Sequence, residues 1–97
     1  MEYQLRNYTV RSGEIEEWVE EWRAWVYPLR LKKGFKVLGA WTIMSENRFV
    51  WIIGWDGPGT FEKANKEYYD SAERKAIKPD PSRHLAATET HMLATVI

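Results

Sequence analysis

Seven apolar residues recur at spacings of three and four in the first third of the chain: Ile15, Trp18, Val19, Trp22, Trp25, Val26 and Leu29. This spacing places them on one side of an α-helix and predicts a long amphipathic helix whose apolar stripe faces the core. Gly34 stands where a left-handed C-terminal cap is expected, and Pro28 should kink the last turns or end the helix early. The three tryptophans of the stripe are interpreted as core residues.

The rest of the chain predicts four strands and a second helix. Strands are predicted over residues 3–10, 35–44, 49–56 and 84–96, and the second helix runs from its cap Thr60 to about Tyr69. Ser71 can start a short further turn, which ends before Lys78-Pro79-Asp80-Pro81. The order β-α-β-β-α-β is the ferredoxin-like arrangement, an α+β fold with one four-stranded antiparallel sheet. We expect a single domain over residues 1–97.

The composition excludes several classes of protein. Lys plus Arg and Asp plus Glu both number 14, and this balance argues against a nucleic-acid partner. The chain has no Cys, so disulfides, thiol nucleophiles and Cys-ligated zinc are excluded. No stretch approaches the roughly 20 apolar residues that a membrane span needs, and residues 1–6 are not typical of a signal peptide. We therefore expect a cytoplasmic protein.

The third strand is apolar on both faces, from Phe49 to Trp55. The second strand places Phe35, Val37, Trp41 and Ile43 on one predicted face and Leu38, Ala40 and Met44 on the other. Both helices cover the same face of a ferredoxin-like sheet, so something apolar must cover the other face. We expect a second copy of the chain, paired face to face as a homodimer. The alternative is a monomer with an unusually aromatic core.

A series of short motifs follows the whole chain in order: Gln4-Leu5-Arg6 with Tyr8, Trp22, Pro28-Leu29-Arg30, Gly34-Phe35, Arg48-Phe49-Val50-Trp51, Asp56-Gly57, Tyr69-Asp70-Ser71, Arg74 and Pro79-Asp80-Pro81. Together they resemble the NIPSNAP family. The resemblance implies a dimeric α/β barrel, within a superfamily that also holds small monooxygenases and haem-degrading enzymes. It implies no defined reaction, since fold alone does not fix function.

Two glycines inside predicted strands bear on a binding site. If Met44 pairs with Phe49 across the turn, Gly39 lies opposite Gly54, with Trp41 diagonal to Gly54 on the same face. Aromatic side chains often fill the space over sheet glycines. The alternative is that the cleared space forms the floor of a pocket for a flat ligand.

Charged residues within the predicted strands give further candidates. Arg6 and Glu89 lie on the first and last strands, which should be neighbours, so a pair between them is plausible. They form a structural ion pair, face solvent as two separate charges, or take part in binding. His91 has Glu89 on its own face and is either a general base or an ordinary half-buried side chain. His84 is expected to be exposed and on the opposite face, so no metal site is expected. The glutamates of the first helix are interpreted as a solvated face.

The resemblance also raises the question of haem. Haem-degrading relatives use an Asn on the first strand, a Trp, and an axial His on the second helix. Asn7, with Trp51 or Trp41, matches the first two, but the predicted second helix contains no His. We therefore expect no haem and no other cofactor. A cofactor-independent oxygenase would need none, because the substrate itself activates oxygen.

These observations predict a homodimer that binds a small apolar or aromatic molecule in a cavity between sheet and helices. The expected ligand-binding residues are Arg6, Tyr8, Trp22, Trp41, Trp51, Tyr68 and Glu89, and the candidate catalytic residues are His91 and Asn7. One alternative is an oxygenase-like or isomerase-like enzyme, which a His or Asn inside the cavity would favour. Another is a structural or interaction module, which a continuous, well-filled core would favour.

Overall fold

The computed structural model describes every residue from Met1 to Ile97. The strands are β1 (Glu2–Val10), β2 (Lys36–Ile43), β3 (Arg48–Trp55) and β4 (Leu85–Leu93). The helices are α1 (Ile15–Glu21), α2 (Tyr27–Lys32), α3 (Phe61–Asp70) and α4 (Ala72–Lys75), with a π-helical turn at Trp22–Val26 and 3₁₀ turns at Met44–Glu46 and Pro81–His84. None of the helices combines the length and apolar character that crossing a bilayer requires.

The four strands form one antiparallel sheet in the order β2-β3-β1-β4. The predicted ferredoxin-like α+β fold is confirmed. The main difference in bounds is at β4, which begins one residue later than predicted and ends at Leu93. Pro81 at the start of the preceding 3₁₀ turn has a fixed φ, which suits the turn better than a paired strand.

The long first helix has three parts because its middle turn is wide. Ile15, Trp18, Trp22, Val26 and Leu29 are buried, as the stripe predicts, but Trp25 is 56% exposed. The prediction for Trp25 is wrong because the π-helical turn needs more residues than an α-turn, so Val26 returns to the core in its place. Pro28 lies two residues after this turn, in the first turn of α2. It lacks an N–H and crowds the preceding turn, and the helix continues to Lys32 instead of ending there.

The predicted caps are mostly present. Thr60 Oγ1 accepts a hydrogen bond from the backbone N–H of Lys63, and Ser71 Oγ accepts one from that of Arg74. Gly34 has φ +93°, the left-handed conformation expected of a C-terminal cap. These caps fix where α3 and α4 begin, and α3 carries several side chains of the site described below.

A one-residue irregularity in β2 changes the register that the turn predicts. Val37 pairs with Ile53 and Gly39 with Ile52, so Leu38 is the extra residue between them. Gly39 and Gly54 are therefore not opposite each other, and Val37 and Trp41 point to opposite faces. The Trp41 ring covers Gly39, where an added Cβ would lie 2.5 Å from Cη2 of that ring. The Trp41 side chain therefore fills the space over Gly39, so this space is not the floor of a pocket.

One face of the sheet packs against the helices. Its core is aromatic: Trp18 of α1 meets Phe49 edge-on at 5.6 Å between centroids, and Trp22 meets Trp51 at 5.4 Å. Edge-on pairs of this kind contribute about 0.5–1.5 kcal/mol each beyond their buried area. On the α3 side, Phe35 meets Phe61 at 5.8 Å. These contacts hold α1 and α3 on the same face of the sheet.

No element of the chain covers the other face, here called the open face. The register puts Leu5 of β1, Trp41 and Ile43 of β2 and Ile52 of β3 on it. Trp41 is 53% exposed and Ile43 is 38% exposed. The molecule measures 38 × 35 × 18 Å, a slab with one sheet and one layer of helices.

Candidate functional site

A cavity of about 670 Å³ lies between the helix-packed face of the sheet and the segment that leads from α3 to β4. Arg6, Tyr8 and Trp51 of the sheet line it, with Thr88 and Thr90 of β4 beside them. Trp18 of α1, Tyr68 and Tyr69 of α3 and Ile77 complete an aromatic and apolar wall. A cavity of this size accommodates a small organic molecule.

Arg6 is the central polar group of this cavity. It is 4% exposed and points toward the helices. Its Nε donates to Gln4 Oε1 at 2.7 Å, and its Nη1 donates to the hydroxyls of Tyr8 and Tyr69, each at 3.0 Å. The predicted pair with Glu89 is wrong. Arg6 pairs in register with Thr90, so Glu89, the residue before it on β4, points to the open face.

A second guanidinium, that of Arg30, lies behind the first. Arg30 is fully buried, and its Cζ lies 3.6 Å from the centroid of the Tyr68 ring. Asn65 Oδ1 accepts from Arg6 Nη2 and from Arg30 Nη1, both at 2.9 Å. Burial, together with the charge of Arg6, lowers the pKa of Arg30 to about 10, so it remains a cation at neutral pH. One amide oxygen therefore joins two buried cations.

The two hydroxyls that accept from Arg6 respond to their surroundings in opposite ways. Burial raises the pKa of Tyr8, which is 5% exposed. Burial also acts to raise the pKa of Tyr69, but the charges of Arg6 and Arg30 outweigh it and lower that pKa. Each hydroxyl accepts a hydrogen bond from Arg6 Nη1, and neither donates its own hydrogen to an acceptor on the protein. Both can therefore donate to a molecule in the cavity.

The rim of the cavity is basic. Arg74, Lys75 and Lys78 line it, and the only carboxylate there is that of Asp80. Asp80 is already engaged, because its Oδ1 accepts from Arg74 Nη2 at 3.0 Å. With Arg6 included, cations outnumber carboxylates along the cavity lining.

The predicted ligand-binding residues divide between the two faces of the sheet. Arg6, Tyr8, Trp51 and Tyr68 line the cavity. Trp22 is buried behind Trp51 and belongs to the core. Trp41 and Glu89 lie on the open face, and the sheet separates them from the cavity.

The candidate catalytic residues do not reach the cavity either. Asn7 pairs in register with Val50 and Glu89, and His91 pairs with Leu5, so both point to the open face. His91 is exposed, and its Nε2 lies 3.7 Å from Glu89 Oε2, in the neighbourhood that the sequence predicts. Asn7 Oδ1 is buried and has no hydrogen-bond partner on the protein.

His84 is buried, contrary to the prediction that it is exposed. Its Nδ1 lies 2.8 Å from Glu14 Oε1 and its Nε2 lies 3.0 Å from Glu21 Oε2. The first-helix glutamates are thus partly ion-paired instead of wholly solvated. They meet His84 because the 3₁₀ turn before β4 packs on α1.

Glu17, Glu21 and His84 are close enough together to raise the question of a metal site, with ligand atoms within 4.8 Å of one another. Burial alone would lower the pKa of His84, but its bonds to Glu21 and Glu14 raise it. An imidazole that donates from both nitrogens has no lone pair for a metal. Arg83 also binds Glu21 with two hydrogen bonds of 2.8 Å. The donor set fits an ion-pair network better than a metal centre.

Several site residues are absent from the sequence-based predictions. Arg30, Asn65 and Tyr69 complete the hydrogen-bonded group around Arg6. Arg30 lies at the basic C-terminal end of the first helix. The helix dipole already accounts for basic residues there, so the sequence gives Arg30 no separate role. Tyr69 lies beside Tyr68, and helical geometry predicts that only one of the two faces the sheet. The signal for Arg30 was its place in the Pro28-Leu29-Arg30 motif.

Fold and cavity together define a ferredoxin-like α+β protein with a basic, aromatic-lined cavity on the helical side of its sheet. The NIPSNAP family profile matches residues 3–95. The chain belongs to the NIPSNAP family, as the motifs predict. A search of the curated proteins finds no match.

Solved structures show the same fold at low sequence identity. An uncharacterized NIPSNAP domain protein from Burkholderia xenovorans superposes with a TM-score of 0.84 at 18% identity, over 98% of this chain and 94% of that one. A NIPSNAP family protein from Agrobacterium tumefaciens gives 0.83 at 15% identity, over 97% and 84%. A putative antibiotic biosynthesis monooxygenase from Nitrosomonas europaea gives 0.71 at 12% identity, over the whole of both chains. At these identities the likeness concerns the fold alone.

Proposed function

We propose that the protein is a cytoplasmic homodimer that binds a small apolar or aromatic molecule in the cavity between sheet and helices. The cavity itself carries this proposal. Its volume of about 670 Å³ is that of a small-molecule site, and Tyr8, Trp18, Trp51 and Tyr68 give it an aromatic lining. A few polar groups converge on it around Arg6, which is the pattern of a site that orients its ligand.

The open face supports the homodimer. Trp41, Ile43 and Leu93 are exposed there, and Leu5 and Ile52 lie between them. A second copy stacked face to face would bury these side chains in a shared core. The cavity lies on the other side of the sheet, so each subunit would keep its own ligand site.

The structural similarity to putative antibiotic biosynthesis monooxygenases keeps an oxygenase-like or isomerase-like enzyme as an alternative. Only the shared fold supports this alternative. Neither His nor Asn lines the cavity, so neither His91 nor Asn7 is placed to act on a molecule held there. This arrangement favours binding over catalysis, and a cavity rather than a filled core favours binding over a purely structural module.

Native mass spectrometry of protein purified gently from cells tests the proposal. We expect a dimer that retains a small molecule. Thr88→Trp, which fills part of the cavity, should lose that molecule, whereas Thr42→Trp, outside the cavity, should keep it. A monomer at micromolar concentration would contradict the homodimer. A dimer with no retained molecule from any preparation would favour the interaction module.

A further inference from the structure

Two buried cations lie at the cavity, Arg6 in its lining and Arg30 behind it, and no carboxylate balances them. Arg6 is 4% exposed and Arg30 is fully buried, and neither has a carboxylate oxygen within 4.0 Å. Buried charges are costly unless they are paired. The only buried arginine with an acidic partner is Arg74, which binds Asp80. The chain therefore holds positive charge in this site that its own acidic residues do not neutralise.

Neutral groups contact the two guanidiniums and satisfy part of their hydrogen-bonding capacity. Asn65 accepts from both guanidiniums, and the rings of Tyr68 and Phe35 lie 3.6 and 4.7 Å from Arg30 Cζ. Nε and Nη2 of Arg30 have no hydrogen-bond partner on the protein. Such contacts orient a guanidinium but do not cancel its charge. The protein thus holds the two guanidiniums in place and leaves their positive charge for a bound anion to neutralise.

The hydrogen-bond donors of the cavity also favour an anionic ligand. The Tyr8 and Tyr69 hydroxyls accept from Arg6 Nη1, so each has its own hydrogen left to donate into the cavity. A hydroxyl that accepts from a cation becomes a stronger donor. Two such donors beside one guanidinium match the two oxygens of a carboxylate. The basic rim of Lys75 and Lys78 adds attraction for an anion.

We infer that the ligand is a small carboxylic acid with an aromatic or apolar body. Its carboxylate accepts hydrogen bonds from Tyr8 and Tyr69 beside Arg6, while its body lies against Trp18, Trp51 and Ile77. This inference rests on the proposed small-molecule site and adds the chemical class of what the site takes.

Calorimetric titration with two compounds of nearly the same shape tests the charge requirement directly. The probes are 2-naphthoate and its uncharged amide, 2-naphthamide. We expect the acid to bind the wild-type protein at least about tenfold more tightly than the amide. Equal affinities would overturn the inference and leave the proposed function standing. Failure of both probes to bind would contradict the proposed function as well.

Substitutions then locate the anion. Arg6→Met and Tyr69→Phe should each reduce the preference for the acid severalfold. Tyr69 is 42% exposed, so this variant should fold even if Arg6→Met does not. Arg23→Met is the matched control, because it removes one exposed cation away from the cavity and should leave the preference unchanged. A full acid preference in Tyr69→Phe and in folded Arg6→Met would place the anion elsewhere and overturn the assignment.

Discussion

The guanidinium of Arg30 lies 3.6 Å above the ring of Tyr68, in a position that solvent does not reach. It shares the amide oxygen of Asn65 with Arg6. A buried cation without a carboxylate partner contributes little net stability, because desolvation offsets the contacts it gains. Arg30 is therefore a residue whose presence the fold alone does not require.

Arg30→Met tests this point through stability. Met fills much of the same space and needs no solvation, so the free energy of unfolding should change by less than about 1 kcal/mol. Arg30→Ala should instead cost about 2–5 kcal/mol, because it leaves a cavity. Urea unfolding followed by Trp fluorescence measures both. A loss above about 3 kcal/mol for the Met variant would make Arg30 a structural residue.

The His84 network predicts a pH dependence of stability. The folded-state pKa of His84 is raised, so its contribution is fully present below the unfolded pKa and is lost as pH rises through the folded value. Glu14, Glu17, Glu21 and Arg83 face the imidazole. The wild-type protein should thus lose unfolding free energy as pH rises from the ordinary His pKa of about 6.5 through the raised folded-state pKa.

His84→Gln is the matched variant for this measurement. It keeps hydrogen-bonding capacity but cannot ionise, so this part of the pH dependence should disappear. Below the unfolded pKa the variant should be less stable by about 1–3 kcal/mol, since it loses hydrogen bonds between charged groups. Equal slopes for the two proteins across that range would refute the assignment. Below this range, Glu21 has a lowered pKa, and its contribution is lost as acid protonates it.

Substitutions of Trp41 and Thr42 test the homodimer, because these adjacent residues lie on opposite faces of β2. Both are exposed, but Trp41 lies on the open face and Thr42 faces the helical side. Trp41→Lys should place a charge in the dimer interface and shift the protein to monomer. Thr42→Lys should leave the dimer intact. Light scattering after size-exclusion chromatography gives the mass of each, and a dimeric Trp41→Lys variant would argue against this interface.

Sequence patterns predict the order of elements and the fold well, because apolar periodicity and capping residues act locally. The Ile15–Leu29 stripe, Thr60, Ser71 and Gly34 all behave as their local chemistry requires. The exceptions come from single-residue insertions. The extra residue Leu38 in β2 separates Gly39 from Gly54, and the π-helical turn moves Trp25 out of the core. Neither irregularity has a clear local signature.

The candidate site is harder to predict because its contacts join distant parts of the chain. Arg6 reaches Asn65 and Tyr69 on α3, and His84 reaches Glu14 and Glu21 on α1. Sequence analysis gives these residues plausible local roles, such as a strand charge or a solvated helix face. Which residues of a strand point into the cavity depends on which face of the sheet packs against the helices. In this fold Arg6 lies on the helical face and lines the cavity, and Asn7 lies on the open face.

The indole N–H signals of the six tryptophans offer the most direct test that the cavity is the ligand site. Trp18 and Trp51 line it, whereas Trp25 is exposed outside it, in a neighbouring groove, and Trp41 lies on the open face. ¹⁵N–¹H NMR with added 2-naphthoate, assigned through Trp→Phe variants, should shift the signals of Trp18 and Trp51 and leave Trp25 unchanged. Shifts confined to Trp25 and Trp41, or no shifts at all, would contradict the account.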